Sequence, residues 1–148
     1  MKPLRPRTTR KATVERHSKA PRYLGLTAFA IRADVDLARL TQWRHHGPVW
    51  VPGPDVHLGE RKLPGWSTEC TDRYWPWMPP YQRPEPVAYL DTTQMCTRLR
   101  MTYEVLWACI VDDKTLPEPT IWVDDNPGWP VPTPQPSKED NGRASERQ

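Results

Sequence analysis

Apolar positions recur in two segments of this 148-residue chain, and the second segment repeats the pattern of the first. A shift of 66 residues places "YLGLTAFAIRADVDLARLTQW" (23–43) over "YLDTTQMCTRLRMTYEVLWAC" (89–109) without a gap. Small deletions then align Pro-x-Pro and Gly-Trp phrases that follow in both segments, as in "VPGPDVHLGERKLPGW" and "LPEPTIWVDDNPGW". We therefore expect two copies of one small structural unit, called repeat 1 and repeat 2.

Within each repeat the spacing predicts two short helices joined by a tight turn. In repeat 1, Phe29 and Ala30 share the buried face of the first helix, and Val35 is the one apolar residue of the turn. Asp36 is the expected N-cap of a second helix that ends near Gly47. The following Pro-x-Pro and Gly-Trp phrases flank a stretch that predicts a β-hairpin, so each repeat is a helix-turn-helix with a wing.

The turn between the two helices often requires a positive φ angle, which favours glycine. Asp34 occupies this position in repeat 1 and Arg100 occupies it in repeat 2. Aspartate tolerates the left-handed conformation better than arginine does. We therefore expect repeat 2 to be the less regular copy, with Thr102 as the N-cap of its second helix.

Repeat 1 continues as "GWSTECTDRYW", in which Ser67 is the expected N-cap of a third helix. This order of elements resembles the small winged helix-turn-helix domains of the excisionase and MerR type, which are common in actinobacteria and their phages. The resemblance covers residues 23–75 well and residues 89–129 more weakly, because "PVPTPQP" replaces the third helix. It implies a mainly α fold with small β-hairpin wings (α+β), built as tandem winged helix-turn-helix repeats with disordered termini.

The nineteen prolines cluster at the expected boundaries between these units. The predicted parts are a disordered basic arm (1–22), repeat 1 (23–75), a Pro-rich linker (76–88), a degenerate repeat 2 (89–129) and a disordered tail (130–148).

Charge divides the chain unevenly. Residues 1–22 carry eight Lys or Arg against one acid, whereas residues 89–129 carry seven acids against three bases. The first part is expected to attract polyanions and the second to repel them.

The second helix of a helix-turn-helix lies in the DNA major groove, where Arg pairs with guanine and Gln with adenine. The predicted DNA-binding residues are Arg39, Thr41, Gln42, Arg44 and His45 of this helix, Arg61 and Lys62 of the wing, and Arg5, Arg7, Arg10 and Lys11 of the arm. His57 either joins them at a phosphate or simply lies on the strand surface. The alternative for the whole set is an ordinary solvated surface.

Repeat 2 presents an apolar, acidic face instead. Tyr103, Val105 and Trp107 lie on its second helix, and Asp112 and Asp113 follow at the end. Such a face suits a protein surface better than phosphate. Repeat 2 is therefore expected to pack against repeat 1, to form a homodimer, or to bind a host or phage protein.

Other kinds of chemistry find little support. No phosphate-binding loop, nucleophile elbow or metal-ligand spacing is present, so we expect no enzyme, no cofactor and no metal site. The chain has three cysteines, an odd number, which argues against a disulfide framework and fits a reducing compartment. No apolar run is long enough to span a membrane, so the expected location is the cytoplasm of a bacterial host cell, at the nucleoid.

The leading hypothesis is a sequence-specific double-stranded DNA-binding protein that regulates transcription in a phage or mobile element. Two alternatives remain open. One is an excisionase-like recombination directionality factor that bends DNA and contacts an integrase. The other is a protein-interaction module, such as a host-factor inhibitor, on a winged-helix scaffold.

Overall fold

The structure is a computed structural model that describes residues 9–132. Its helices are α1 (Arg10–His17), α2 (Leu26–Arg32), α3 (Leu37–His46), α4 (Thr68–Arg73), α5 (Thr92–Leu99) and α6 (Tyr103–Val111). Its strands are β1 (Arg22–Tyr23), β2 (Val56–Leu58), β3 (Leu63–Gly65), β4 (Val87–Leu90), β5 (Ile121–Val123) and β6 (Asn126–Pro130). None of the helices in this part of the chain is long and apolar enough to cross a membrane.

The helix pairs follow the sequence pattern. Helices α2 and α3 form repeat 1, and α5 and α6 form repeat 2. The predicted N-caps Asp36, Ser67 and Thr102 are confirmed, because each side chain accepts a hydrogen bond from the backbone N–H three residues later. Helix α3 ends before Gly47, as expected.

The turn between the helices takes the same form in both repeats. Asp34 has φ 55° and Arg100 has φ 54°, so both residues lie in the left-handed region. The next residue closes the turn, with Val35 N–H donating to the Ala30 carbonyl at 2.9 Å and Met101 N–H donating to the Cys96 carbonyl at 3.1 Å. Repeat 2 therefore keeps the regular turn despite its arginine, at the energetic cost of a non-glycine residue in this conformation.

The repeated Pro-x-Pro and Gly-Trp phrases are joined by one hydrogen bond in each repeat. The Trp66 indole N–H donates to the Pro52 carbonyl at 2.8 Å, and the Trp129 indole N–H donates to the Pro117 carbonyl at 3.0 Å. Both indoles are buried. Each tryptophan thus fixes the loop that enters its hairpin against the helices.

The predicted fold class, mainly α with small wings, is wrong. The fold is α+β, and its strands form one six-stranded mixed sheet with the order β1-β5-β6-β4-β2-β3. The hairpins β2–β3 and β5–β6 are present, but both are paired with other strands into this sheet and are not separate wings. The sequence pattern misses β1 and β4 because strands of two and four residues show little alternation.

The two repeats exchange these entry strands. Strand β1 of repeat 1 pairs in parallel with β5 of repeat 2, and β4 of repeat 2 pairs in parallel with β2 of repeat 1. Backbone hydrogen bonds between Leu24 and Trp66 also link the ends of β1 and β3, at the two edges of the sheet. The sheet therefore closes into a small ring in which equivalent strands occupy equivalent places, related by a pseudo-twofold axis.

Equivalent side chains from both repeats fill this ring. Val56 and Leu58 of repeat 1 meet Ile121 and Val123 of repeat 2, and all four are buried. A Cβ atom on Gly65 would lie 2.8 Å from Val56 Cγ2, which explains why glycine precedes the tryptophan in the repeated phrase. The packing of repeat 2 against repeat 1, one of the three expected outcomes, is thus achieved by strands.

A glycine and an aspartate face each other at both junctions between the repeats, in exchanged positions. Gly25 of the repeat 1 entry segment faces Asp124 in the second hairpin, and its N–H donates to the Asp124 carboxylate at 3.0 Å. Asp91 of the repeat 2 entry segment faces Gly59 in the first hairpin. A side chain on either glycine would collide with the facing carboxylate, so each junction has room for only one aspartate.

The helices of each repeat cover one side of the ring with a core of their own. The repeat 1 core contains Phe29, Ala30, Leu40, Trp66, Cys70 and Tyr74. The repeat 2 core contains Leu106, Trp107, Ile110, Trp122 and Trp129, together with Val14 from α1.

Helix α1 corrects the prediction of a disordered arm over residues 1–22, as far as the structure describes them. Thr9 caps the helix, and Val14 buries its side chain against repeat 2. Val14 is the only apolar residue of α1 that is buried, so its sequence lacks the periodicity that would predict a helix. Residues 1–8 and 133–148, which hold the rest of the predicted arm and nearly all of the predicted tail, lie outside the described residues.

The Pro-rich segment 76–86 lies along repeat 1. Arg83 forms a 2.6 Å salt bridge with Asp55, and the Tyr81 ring packs edge-on against Trp50 at a centroid distance of 4.9 Å. Strand β4 begins at Val87, within the range predicted as linker.

We predict that Arg100→Gly stabilises the protein by about 0.5–1 kcal/mol, because glycine removes the cost of a left-handed arginine. Arg98→Gly is the matched control, and it should destabilise the protein by about 1 kcal/mol because Arg98 lies within α5. Thermal denaturation followed by circular dichroism measures both. An equal loss of stability in the two variants would contradict the expectation.

Leu58→Ala should lower the free energy of unfolding by about 2–5 kcal/mol, because the ring core loses a buried side chain. Both repeats should still unfold in one transition, since each completes the other's sheet. Urea titrations followed by tryptophan fluorescence and by circular dichroism test this, with the half-exposed Leu63→Ala as control. Two separate transitions would show that the repeats are independent.

Candidate nucleic-acid interface

Helix α3 presents most of the predicted DNA-binding residues to solvent. Arg39, Gln42 and His45 are exposed, whereas Leu40 is fully buried beneath them. Thr41 is half-buried, and its hydroxyl donates to the Leu37 carbonyl at 2.8 Å. Thr41 therefore turns its hydroxyl back to the helix, which leaves Arg39 and Gln42 as the polar side chains free to reach outward.

Arg44 is held in place by a tryptophan. Its guanidinium carbon lies 5.3 Å from the centroid of the Trp66 ring, a cation–π distance. The ring itself is fixed by its bond to Pro52. Burial lowers the pKa of Arg44 from its ordinary value, but an arginine remains charged at neutral pH. The result is a positioned cation at the edge of α3.

The first hairpin brings further basic groups to the same place. Burial lowers the pKa of His57, and the charges of Lys62 and Arg44 lower it further. The end of α3 also touches this hairpin, because Arg44 lies over Trp66, which directly follows β3, and β3 is paired with β2. We call Arg44, His57 and Lys62 the basic cluster. Arg61, also exposed, adjoins it in the turn.

The charges of this surface are not neutralised within residues 9–132. The salt bridges there involve Arg10, Arg22, Arg32 and Arg83, and none of them includes a cation of α3 or of the β2–β3 hairpin. Residues 37–65 carry four Lys or Arg and two acids. The surface is therefore available to an anionic partner.

Repeat 2 has the opposite character at equivalent positions. Val105, Ala108 and Ile110 replace Arg39, Gln42 and Arg44. Residues 103–128 carry six acids and one base. The backbone is thus shared between the repeats, while the cationic surface belongs to repeat 1 alone.

The predicted protein-binding face of repeat 2 is only partly exposed. Tyr103 and Val105 are 51% and 47% exposed, as a contact surface requires. Trp107, by contrast, is 2% exposed and packs against Trp129 at a ring-centroid distance of 6.0 Å, so its assignment to the surface is wrong. Trp107 is buried because α1 covers this side of α6 and its Val14 joins the same core.

The two predicted arm residues that the structure describes, Arg10 and Lys11, lie on α1 and not at α3. Arg10 forms a 2.8 Å salt bridge with Asp112 at the end of α6, and Lys11 lies on the same helix α1. Arg5 and Arg7 lie outside the described residues. The structure therefore places Arg44 of α3 at the base of the wing, whereas α1 holds Arg10 on repeat 2.

Sequence reasoning missed the support that Trp66 gives to Arg44. A signal was present in the alignment of the repeats. Arg44 takes the place of Ile110, and an equivalent tryptophan, Trp66 or Trp129, follows in the hairpin of each repeat. A cation at a position that is apolar in the other copy indicates a side chain stacked on an aromatic ring rather than one inserted into the core.

No family model, curated protein or solved structure matches the chain. The resemblance to excisionase and MerR domains therefore stays a prediction. Between residues 9 and 132, no group of His, Cys, Asp and Glu side chains is arranged to hold a metal ion, and the three cysteine thiols are free.

We predict that Lys62→Ala raises the pKa of His57 toward its ordinary value of 6.5, because one of the two opposing charges is removed. The pKa should stay below that value, since burial is the largest cause of the shift. A histidine NMR titration measures it, with Lys114→Ala as control. An unchanged His57 pKa in Lys62→Ala would contradict the claim that the Lys62 charge acts on His57 within the basic cluster.

The sign of the related stability effect follows from the same shift. The folded-state pKa of His57 is lowered, so the stabilising contribution of the neutral ring is present above the ordinary pKa of 6.5. That contribution is lost as the pH falls through the folded-state pKa.

Proposed function

We propose that this protein binds double-stranded DNA sequence-specifically through repeat 1 and acts as a transcriptional regulator. The observation that carries the proposal is the basic cluster beside α3, in which Arg44 is stacked on Trp66 at the base of the hairpin that carries Lys62 in its turn. An α-helix with its side chains is about 10–12 Å in diameter, and the major groove is about 12 Å wide. Helix α3 therefore has the dimensions of an element that enters the groove.

The residues divide into two roles. Arg39 and Gln42 are exposed on α3 and have the chemistry to hold guanine and adenine bidentately. Arg44, on Trp66 at the base of the hairpin, and Arg61 and Lys62, in its turn, are cations suited to backbone phosphates. Neutralising about three phosphates would give a salt slope near −3 in a plot of log affinity against log salt concentration.

The acidic character of repeat 2 supports the same division. Glu104, Asp112 and Asp113 would repel phosphate if α6 approached DNA. Repeat 2 contributes instead by holding the ring that positions the first hairpin beside α3.

A protein-interaction module is the second candidate function. Repeat 2 has exposed apolar side chains at Leu99, Tyr103 and Val105. An apolar surface of this kind suits a protein partner better than the charged phosphates of a nucleic acid. This candidate gains ground over the first only if repeat 1 binds no DNA motif.

The test is selection from a random double-stranded DNA library at two salt concentrations. We expect one enriched motif, and we expect Arg39→Ala plus Gln42→Ala to lose it, with each lost base contact costing about 1–3 kcal/mol of discrimination. Arg98→Ala, which removes an exposed positive charge from α5, is the control and should keep the motif.

Absence of any motif, or a motif that survives the double substitution, would overturn the proposal. A DNA-bending assay on an enriched site then separates a regulator from an excisionase-like factor, since the latter is expected to bend its site.

A further inference from the structure

The pseudo-twofold axis of the ring relates α3 to α6. In a symmetric protein, two such helices contact two half-sites of an inverted repeat, and the symmetry of the DNA mirrors that of the protein. The register of the sheet obeys this symmetry closely, because Tyr23 pairs with Val123 as Tyr89 pairs with Leu58. A two-fold symmetric DNA target would require the same capacity for base contacts in α3 and in α6.

The side chains of α6 remove one half of that capacity. At the positions equivalent to Arg39 and Gln42, α6 has Val105 and Ala108, neither of which donates a hydrogen bond to a base edge. Ile110 stands where repeat 1 has Arg44, and it is buried.

Helix α1 covers part of the α6 surface as well. Val14 packs into the core beside Trp107 and Ile110, and Arg10 is paired with Asp112 at the end of α6. In repeat 1, the helix that packs most extensively against α3 is α2, its partner across the turn. The α3 residues equivalent to Trp107 and Ile110 are Thr41 and Arg44, and both are only half-buried.

We propose that the DNA target is a single asymmetric half-site bound by one protein chain, rather than an inverted repeat. This inference rests on the proposed function of repeat 1. One helix and one hairpin contact about five base pairs, roughly half a helical turn. The second helix of the pseudo-symmetric pair takes no part in recognition, because its surface is apolar, acidic and covered by α1.

The experiment combines the motif from library selection with the stoichiometry of the complex. We expect a motif without internal two-fold symmetry. Analytical ultracentrifugation of the full chain with a duplex carrying that motif should give one protein per duplex. Arg39→Ala should weaken binding by about 5-fold to 150-fold, the range that corresponds to one lost base contact.

Val105→Ala is the matched control at the equivalent position of α6. It should change affinity less than two-fold and leave the motif unaltered. Because Val105 is exposed, this substitution should not disturb folding.

The outcomes separate the two proposals. An enriched inverted repeat, or two chains on the minimal duplex, would overturn the asymmetric half-site while DNA binding through repeat 1 stands. An altered motif in Val105→Ala would also overturn it, because α6 would then contact the DNA. If no motif is enriched at all, DNA recognition itself fails and the half-site falls with it.

Discussion

The parallel pairing of β1 with β5 and of β4 with β2 holds the two repeats together. Each hairpin alone has strands of only three to five residues, and an isolated two-stranded hairpin is marginally stable at best. The exchanged entry strands give each hairpin a neighbour from the other repeat, and the bridge between Leu24 and Trp66 leaves few free edges. The helix pairs, α1 and the basic cluster are all positioned by this ring.

One backbone therefore carries two different surfaces. Positions that face a core keep their apolar character in both repeats, as Leu40 and Leu106 do. Positions outside the repeat 1 core have diverged, and Arg44 against Ile110 is the clearest case because Arg44 stacks on an indole while Ile110 is buried in the repeat 2 core beside α1. The proposed recognition is concentrated in repeat 1, and repeat 2 supports the ring that holds it.

Local signals in the sequence predicted local structure well. Helix caps such as Asp36 and the left-handed turn at Asp34 depend on residues within a few positions, so the sequence pattern was sufficient for them. The sheet was missed because its strand pairings join distant segments. The spacing of apolar residues within a segment does not indicate which other strand it pairs with. The error at Trp107 followed from the error at α1, since a helix predicted as a disordered arm covers that side chain. At the candidate site, the residues of α3 and the hairpin were predicted, whereas the platform under Arg44 was not.

The exchange of entry strands also sets an order for biosynthesis. Arg22 pairs with Trp122, so β1 finds its partner only when almost all of the described chain has left the ribosome. Until then, repeat 1 has its helices and hairpin but an incomplete sheet, with exposed backbone donors and acceptors that invite wrong pairing. Contacts between residues so far apart in sequence also slow the closing step of folding. The nascent protein is therefore expected to be most vulnerable to aggregation and proteolysis in the interval before β5 emerges.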